Sequence, residues 1–229
     1  MKVLIIEDDG RMVEIIKIAF RLHWPEAKVV STHLGEIGIE MVEKGAPDIV
    51  ILDLGLPDIS GFQVLKSIRL FSSVPIIILT VMEDENDIVT GLELGADDYI
   101  VKPFRQSIFL ARVKSVIRRM NLADACTPVV CGPLRLEPSM NKLIYRNKDI
   151  ILTRTEGLIL HNLMRNAGKV LTYSKLSGIM WGDDYPGTTE SLRVHVHRLR
   201  EKIEKDAAHP QIICTKIGMG YYITEPNPD

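Results

Sequence analysis

Four short apolar runs in the first half of the chain each end in a polar residue. Val3-Leu4-Ile5-Ile6 precedes Glu7-Asp8-Asp9, Ile49-Val50-Ile51-Leu52 precedes Asp53, Ile76-Ile77-Ile78-Leu79 precedes Thr80, and Tyr99-Ile100-Val101 precedes Lys102. Runs of this kind predict buried strands of a parallel sheet, and in open α/β sheets ligands bind beyond the carboxyl ends of the strands. The four ends are therefore expected to converge. They would bring together carboxylates, a hydroxyl and an ammonium, a set suited to a divalent cation and a phosphoryl group rather than to a hydrophobic ligand.

Between the apolar runs lie amphipathic stretches at 11–22, 35–44, 61–70, 85–94 and 105–119, separated by Gly45-Ala46-Pro47, Gly55-Leu56-Pro57 and Gly95-Ala96-Asp97-Asp98. Alternating β and α units predict a doubly wound domain of five parallel strands over residues 1–119. Residues 120–128, short, polar or small and ending in Pro128, predict a linker. A second domain over 129–229 follows, with strand-like pieces at 129–136, 142–146 and 149–152 and turns at Pro138-Ser139 and Arg146-Asn147-Lys148. Three helical patterns come next, from Thr153 to about Asn166, from about Thr172 to Trp181, and from about Thr188 to Asp206, the first opened by a Thr153/Glu156 capping box. Two strand patterns around Lys216-Ile217-Gly218-Met219-Gly220 close the chain as a hairpin. Three helices and a hairpin make the α+β layout of a winged helix.

The 229 residues suffice for two domains, and 46% hydrophobic content supports two cores. No apolar stretch reaches the roughly 18 residues of a membrane span, and the chain opens on a strand pattern rather than a secretory signal. A soluble cytoplasmic protein with no membrane partner is expected. Three cysteines fit reduced thiols, and Cys126 with Cys131 as half a metal site has no neighbouring ligands at suitable spacing. Residues 1–125 hold 14 Lys+Arg against 19 Asp+Glu, a balance of −5, and residues 126–229 hold 14 against 11, a balance of +3. The second half is the candidate for a polyanionic partner.

Glu7 and Asp8 beside Asp53 would crowd negative charge, which favours a neutralising cation, and hard oxygen ligands with open water positions favour Mg²⁺. Asp9 alone reads as a helix cap. Asp53 is the candidate nucleophile, because a carboxylate can accept phosphoryl as an acyl phosphate. Lys102 would offset charge on the transferring oxygens and Thr80 would donate a hydrogen bond to the new phosphate.

Leu52-Asp53-Leu54-Gly55-Leu56-Pro57, Leu79-Thr80 and Asp97-Asp98-Tyr99-Ile100-Val101-Lys102-Pro103-Phe104 make residues 1–119 resemble a receiver domain of two-component signalling, which has a flavodoxin-like fold. The resemblance implies that Asp53 accepts phosphoryl from a sensor histidine kinase, and that Asp8, Asp53 and the Gly55 carbonyl bind Mg²⁺ with Glu7 assisting. It also implies that Thr80 and Lys102 grip the phosphoryl group while Tyr99 repacks with Thr80, although a half-buried core tyrosine is the plainer reading of Tyr99. Lys102-Pro103 is expected to be cis. Such a domain catalyses its own phosphorylation and dephosphorylation without being an enzyme in the ordinary sense. Val81 replaces the usual small residue beside the threonine, narrowing the approach to Asp53. Ile88 and Ile108 replace a charged pair that joins the activated homodimer in similar sequences, leaving Asp97, Asp98 and Arg112 for salt bridges on that face; both isoleucines also fit a core position.

On the third helix of the second half, Leu192, Val196, Leu199 and Ile203 form an apolar stripe. Arg193, His197 and Arg200 lie on another face, with Arg198 and Lys202 beside it. A cationic helix face is often just solvated, but one followed by a hairpin bearing Lys216 suits double-stranded DNA. Leu152-Thr153-Arg154-Thr155-Glu156, Val170-Leu171-Thr172 through Trp181-Gly182, Val194 to Ile203, and Gly218-Met219-Gly220-Tyr221 resemble the effector domain of OmpR/PhoB-type response regulators. That resemblance implies a recognition helix, a wing, paired DNA half-sites, and RNA polymerase as a further candidate partner. Glu190 and Ile217 stand where basic residues are usual, which predicts weaker non-specific binding and a shallower salt slope. His195 suits either packing or a backbone contact, and Arg200 either DNA or an internal ion pair. An aspartyl phosphatase is disfavoured because Gly55 stands where its second acid would be. A phosphorylation-independent DNA-binding protein is the remaining rival.

Overall fold

The computed structural model describes residues 1–81, 85–124, 127–137, 139, 141–182 and 188–224. Cys126 and Pro138 lie outside them. The chain divides into two compact units, Met1–Val113 and Lys114–Asp229.

In the first unit the apolar runs form β1 (Lys2–Ile6), β3 (Ile49–Asp53), β4 (Ile76–Thr80) and β5 (Asp98–Val101), with β2 (Lys28–Thr32) at one edge. All pair in parallel in the order β2-β1-β3-β4-β5. Helices α1 (Gly10–His23), α2 (Gly35–Gly45), α3 (Gly61–Arg69) and α4 (Glu85–Glu93) alternate with the strands. The strand order reverses between β1 and β3, and in-register pairing (Ile6 with Leu52, Asp53 with Leu79, Thr80 with Val101) brings the polar strand ends level. That is the crevice where a doubly wound sheet binds its ligand.

Local chemistry holds the strand ends. The Asp9 carboxylate accepts from the Arg11 and Met12 amides at 2.8 and 3.4 Å, starting α1 as a cap should. A Ser60/Gln63 capping box starts α3. At its first residue, Gly61, a Cβ would lie 2.2 Å from the Asp53 carbonyl oxygen, so only glycine lets α3 begin so close to β3. Asp58, in the same loop, accepts from the Gly35 and Glu36 amides at 2.9 and 3.0 Å and so caps α2.

Helix α5 spans Gln106–Asp124, and the division between the units falls within it. Residues 120–124 of the expected linker continue the helix, as no Gly or Pro interrupts the sequence before Pro128. Beyond it, β6 (Val129–Cys131), β7 (Leu134–Leu136), β8 (Lys142–Tyr145) and β9 (Lys148–Ile151) form an antiparallel sheet in chain order. Helices α6 (Arg154–Arg165), α7 (Tyr173–Trp181) and α8 (Thr188–Ile203) follow, then the hairpin of β11 (Ile213–Lys216) and β12 (Gly220–Ile223). A two-residue strand, β10 (Leu171–Thr172), pairs with β12 and is too short for alternation to reveal. The Leu192, Val196, Leu199, Ile203 stripe is buried with Leu158, Leu163, Leu176, Ile213 and Ile223.

Candidate functional site

The first unit gathers its chemistry at the β1/β3 crevice. Glu7, Asp8 and Asp53 each offer a carboxylate oxygen within 4.8 Å of the others. Glu7 and Asp53 are buried and Asp8 is exposed. The Lys102 Nζ lies 2.7 Å from Glu7 Oε2 and 3.1 Å from Asp53 Oδ2, so one ammonium serves two carboxylates. The Lys102-Pro103 bond is cis, as expected. Burial pushes the Glu7 carboxyl up to about 7, opposed by its hydrogen bond to Lys102 and reinforced by the negative charge of Asp53. Three clustered oxygen donors with one side open to water fit Mg²⁺. A Cβ on Gly55 would lie 3.8 Å from Asp53 Oδ2, placing its backbone beside the cluster.

Thr80 is buried at the end of β4, while Val81, next to it, is 72% exposed. Tyr99 is half-buried, with the Arg112 guanidinium 5.2 Å from its ring centroid. Asp97, Asp98 and Arg112, the salt-bridge candidates for the dimer face, are engaged within the chain. Asp97 is buried and bonded to Arg69 Nη2 at 3.1 Å and to the Ile76 amide at 3.0 Å, and Asp98 is buried against Arg112 Nη1 at 2.6 Å. Ile108 is exposed and Ile88 partly so. The Arg69 clamp, whose Nη1 and Nε also bond the carbonyls of Ser72, Val74 and Gly95, carried no sequence signal beyond a basic residue at a helix end.

In the second unit, α8 presents fewer cations than its sequence suggests. Arg193 and His197 are exposed, each beside an acid: Arg193 lies 3.4 Å from Glu190 and His197 3.7 Å from Glu201. Arg198 corrects the expectation of a groove-flanking residue, being buried 3.3 Å from Glu156 Oε1. Lys202 bonds the same carboxylate at 2.6 Å. Glu156 has no exposed surface and still closes the capping box, accepting from the Thr153 amide at 2.8 Å. A cap legible in the sequence thus also anchors α8.

Arg200 is likewise spent internally, donating to the Ile213 carbonyl at 2.9 Å and to Thr215 Oγ1 at 2.8 Å. Glu204 accepts from the Gln211, Ile212 and Ile213 amides at 3.0, 2.9 and 2.8 Å, tying the end of α8 to β11. His195 is wholly buried against the Trp181 ring, which settles it as a packing residue, and burial among cations holds its pKa well below the ordinary value. Lys216 is exposed at the end of β11.

A doubly wound unit with an acidic crevice, joined to a winged helix, defines a two-component response regulator. Residues 3–114 match the family described as response regulator receiver domain, and residues 147–223 match transcriptional regulatory protein, C terminal. The chain belongs to the OmpR/PhoB family of response regulators. It is 41% identical over 223 residues to the sensory transduction protein RegX3 of Mycolicibacterium smegmatis, covering 96% of this chain and 97% of that protein. RegX3 of Mycobacterium tuberculosis is 40% identical over 224 residues, with the same coverage. Among solved structures, the Thermotoga maritima OmpR/PhoB homologue DrrB matches with a TM-score of 0.51 and 30% identity, covering 97% of this chain and 98% of that one. A RitR mutant shares the fold with a TM-score of 0.82 at 22% identity, covering 98% and 99%.

Proposed function

We propose that the protein is a cytoplasmic, phosphorylation-activated transcription regulator whose Asp53 receives phosphoryl from a histidine kinase. The observation that carries this reading is the Glu7, Asp8, Asp53 cluster with Lys102 between two of its members. In the transfer, an Asp53 Oδ attacks phosphorus, the new P–O bond forms as the N–P bond of a phosphohistidine breaks, and the imidazole leaves with the electron pair. Water attack on the resulting acyl phosphate returns Asp53 and inorganic phosphate. The Lys102 ammonium, 3.1 Å from Asp53, balances charge on the transferred oxygens, where most of the catalysis of such steps lies. Glu7, Asp8, Asp53 and the Gly55 carbonyl would hold Mg²⁺, which supplies further positive charge at those oxygens.

Exposed Ile15, Ile18 and Leu22 on α1, which Asp9 starts beside the site, offer an apolar surface for the kinase. Thr80 and Tyr99 would carry the change in Asp53 outward, with Ile88 and Ile108 forming an apolar contact in an activated dimer that binds paired half-sites. Phosphorylation shifts this equilibrium only by favouring one conformation over the other. Arg193, His197 and Lys216 are the DNA contacts.

Intact mass after incubation with Mg²⁺ and acetyl phosphate tests the reading. A single phosphate adduct, labile to hydroxylamine and absent in Asp53→Ala, is expected, together with tighter DNA binding by the phosphorylated form. An adduct that persists in Asp53→Ala, or DNA affinity indifferent to phosphorylation, would sink it.

A further inference from the structure

The wing ends in apolar side chains that a cationic account of DNA binding leaves unused. Ile217 is 91% exposed and Met219 52% exposed, the former the most exposed large hydrophobic among the described residues. Neither is loosely held. The Met219 amide donates to the Lys216 carbonyl at 2.9 Å, closing a turn whose third residue, Gly218, has φ +74°, a value that favours glycine. The Tyr173 amide donates to the Met219 carbonyl at 3.0 Å, fastening the tip to the start of α7. Below the tip, Thr215 pairs with Tyr221 and Lys216 with Gly220, while Arg200 of α8 bonds Thr215. The Arg200 guanidinium also lies 5.7 Å from the Tyr221 ring centroid, holding the wing to α8 beneath its open surface. A fixed, solvated isoleucine beside Lys216 projects from that surface.

We propose that Ile217 is a specificity-determining side chain that enters the minor groove and favours A·T pairs there. The proposal rests on the DNA-binding reading given above. A single protruding side chain suits a groove, and the neighbouring lysine suits the phosphates that line it. The groove floor at A·T pairs carries acceptors alone, whereas a G·C pair adds the guanine amino donor. Isoleucine cannot accept that hydrogen bond, so pressing it against guanine strips the amino group of water without replacement. Its contact displaces no counterions. Ile217 should therefore contribute affinity that salt does not weaken, unlike Arg193 or Lys216.

The test uses the full-length protein with Mg²⁺ and acetyl phosphate. Duplexes are selected from a random-sequence pool, and each flanking pair is then exchanged between A·T and G·C in binding titrations over a range of salt. Wild type is expected to bind the A·T flank about tenfold more tightly than the G·C flank, the usual effect of one unfavourable base pair. Ile217→Ser, whose hydroxyl can accept from guanine, should reduce that preference to about twofold with the slope against salt unchanged. Ile217→Arg should steepen the slope by about one. If Ile217→Ser keeps the full affinity and flank preference while Arg193→Ala weakens binding, the tip does not read DNA and the wider reading stands. If wild type enriches no duplex and Arg193→Ala changes nothing, DNA binding itself fails and the assignment of Ile217 fails with it.

Discussion

At the carboxyl ends of β1 and β3 three carboxylates converge, two of them on one ammonium, whereas along α8 the cations are dispersed and most of them turn inward. Arg198 and Lys202 close on Glu156, and Arg200 closes on β11. The acidic crevice keeps its charge for chemistry, while the basic helix spends much of its charge on its own architecture. Counting basic residues therefore overstates the polyanion-binding surface of the second unit, and counting acids overstates the crevice of the first, where Asp97 and Asp98 are also taken up by internal ion pairs.

The comparison can be broken most forcefully at Glu156. Glu156→Ala would leave Arg198 buried without this carboxylate and remove half of a capping box. Loss of one partner of a buried ion pair costs about 3–5 kcal/mol, so denaturant unfolding of the second unit should move by that order. A change under about 1 kcal/mol, the scale of an exposed pair, would mean that the site is wetter than it looks.

The exposed and internal arginines of α8 sharpen the contrast. Arg193→Ala should weaken DNA binding and lower the salt slope by about one, since it removes one phosphate-competent cation. Arg200→Ala should leave that slope alone and lower thermal stability instead, because it removes bonds to Ile213 and Thr215. Equal loss of slope in both variants would return Arg200 to the DNA surface. The smallest effect is expected at Val81. Its exposed branched side chain directly follows Thr80 at the end of β4, so, if it narrows the approach to Asp53, Val81→Ala should speed phosphorylation by acetyl phosphate, hydrolysis of the acyl phosphate, or both, by roughly threefold, a barrier change under about 1 kcal/mol. Unchanged time courses would dismiss Val81 as an obstacle.

The two regions also differed in how well they could be read. Strand ends in a parallel sheet are placed by topology, so apolar runs ending at Glu7, Asp53, Thr80 and Lys102 were enough to predict a shared crevice. The Thr153/Glu156 cap and the Leu192 to Ile203 stripe were legible for a similar reason, since local spacing determines them. What a helix-surface arginine touches depends on elements far away in the chain. Nothing near Arg198 announces Glu156, and nothing near Arg69 announces Asp97. Asp97, Asp98 and Arg112 could be read only as salt-bridge residues, because an ion pair within one chain and one between chains use the same residues. The extension of α5 escaped because polar residues without Gly or Pro continue a helix as readily as they begin a linker.

Glu204, the residue that follows α8, accepts from three amides at and just before the start of β11, and Arg200 adds a second fastening one turn earlier. Helix and wing are thereby set like the jaws of a fixed-gap gauge. Such a reader has little freedom to adjust its span to the duplex, so the duplex must do the adjusting. Sequences that bend or narrow cheaply between the two contacts would then be preferred even at base pairs no side chain reaches.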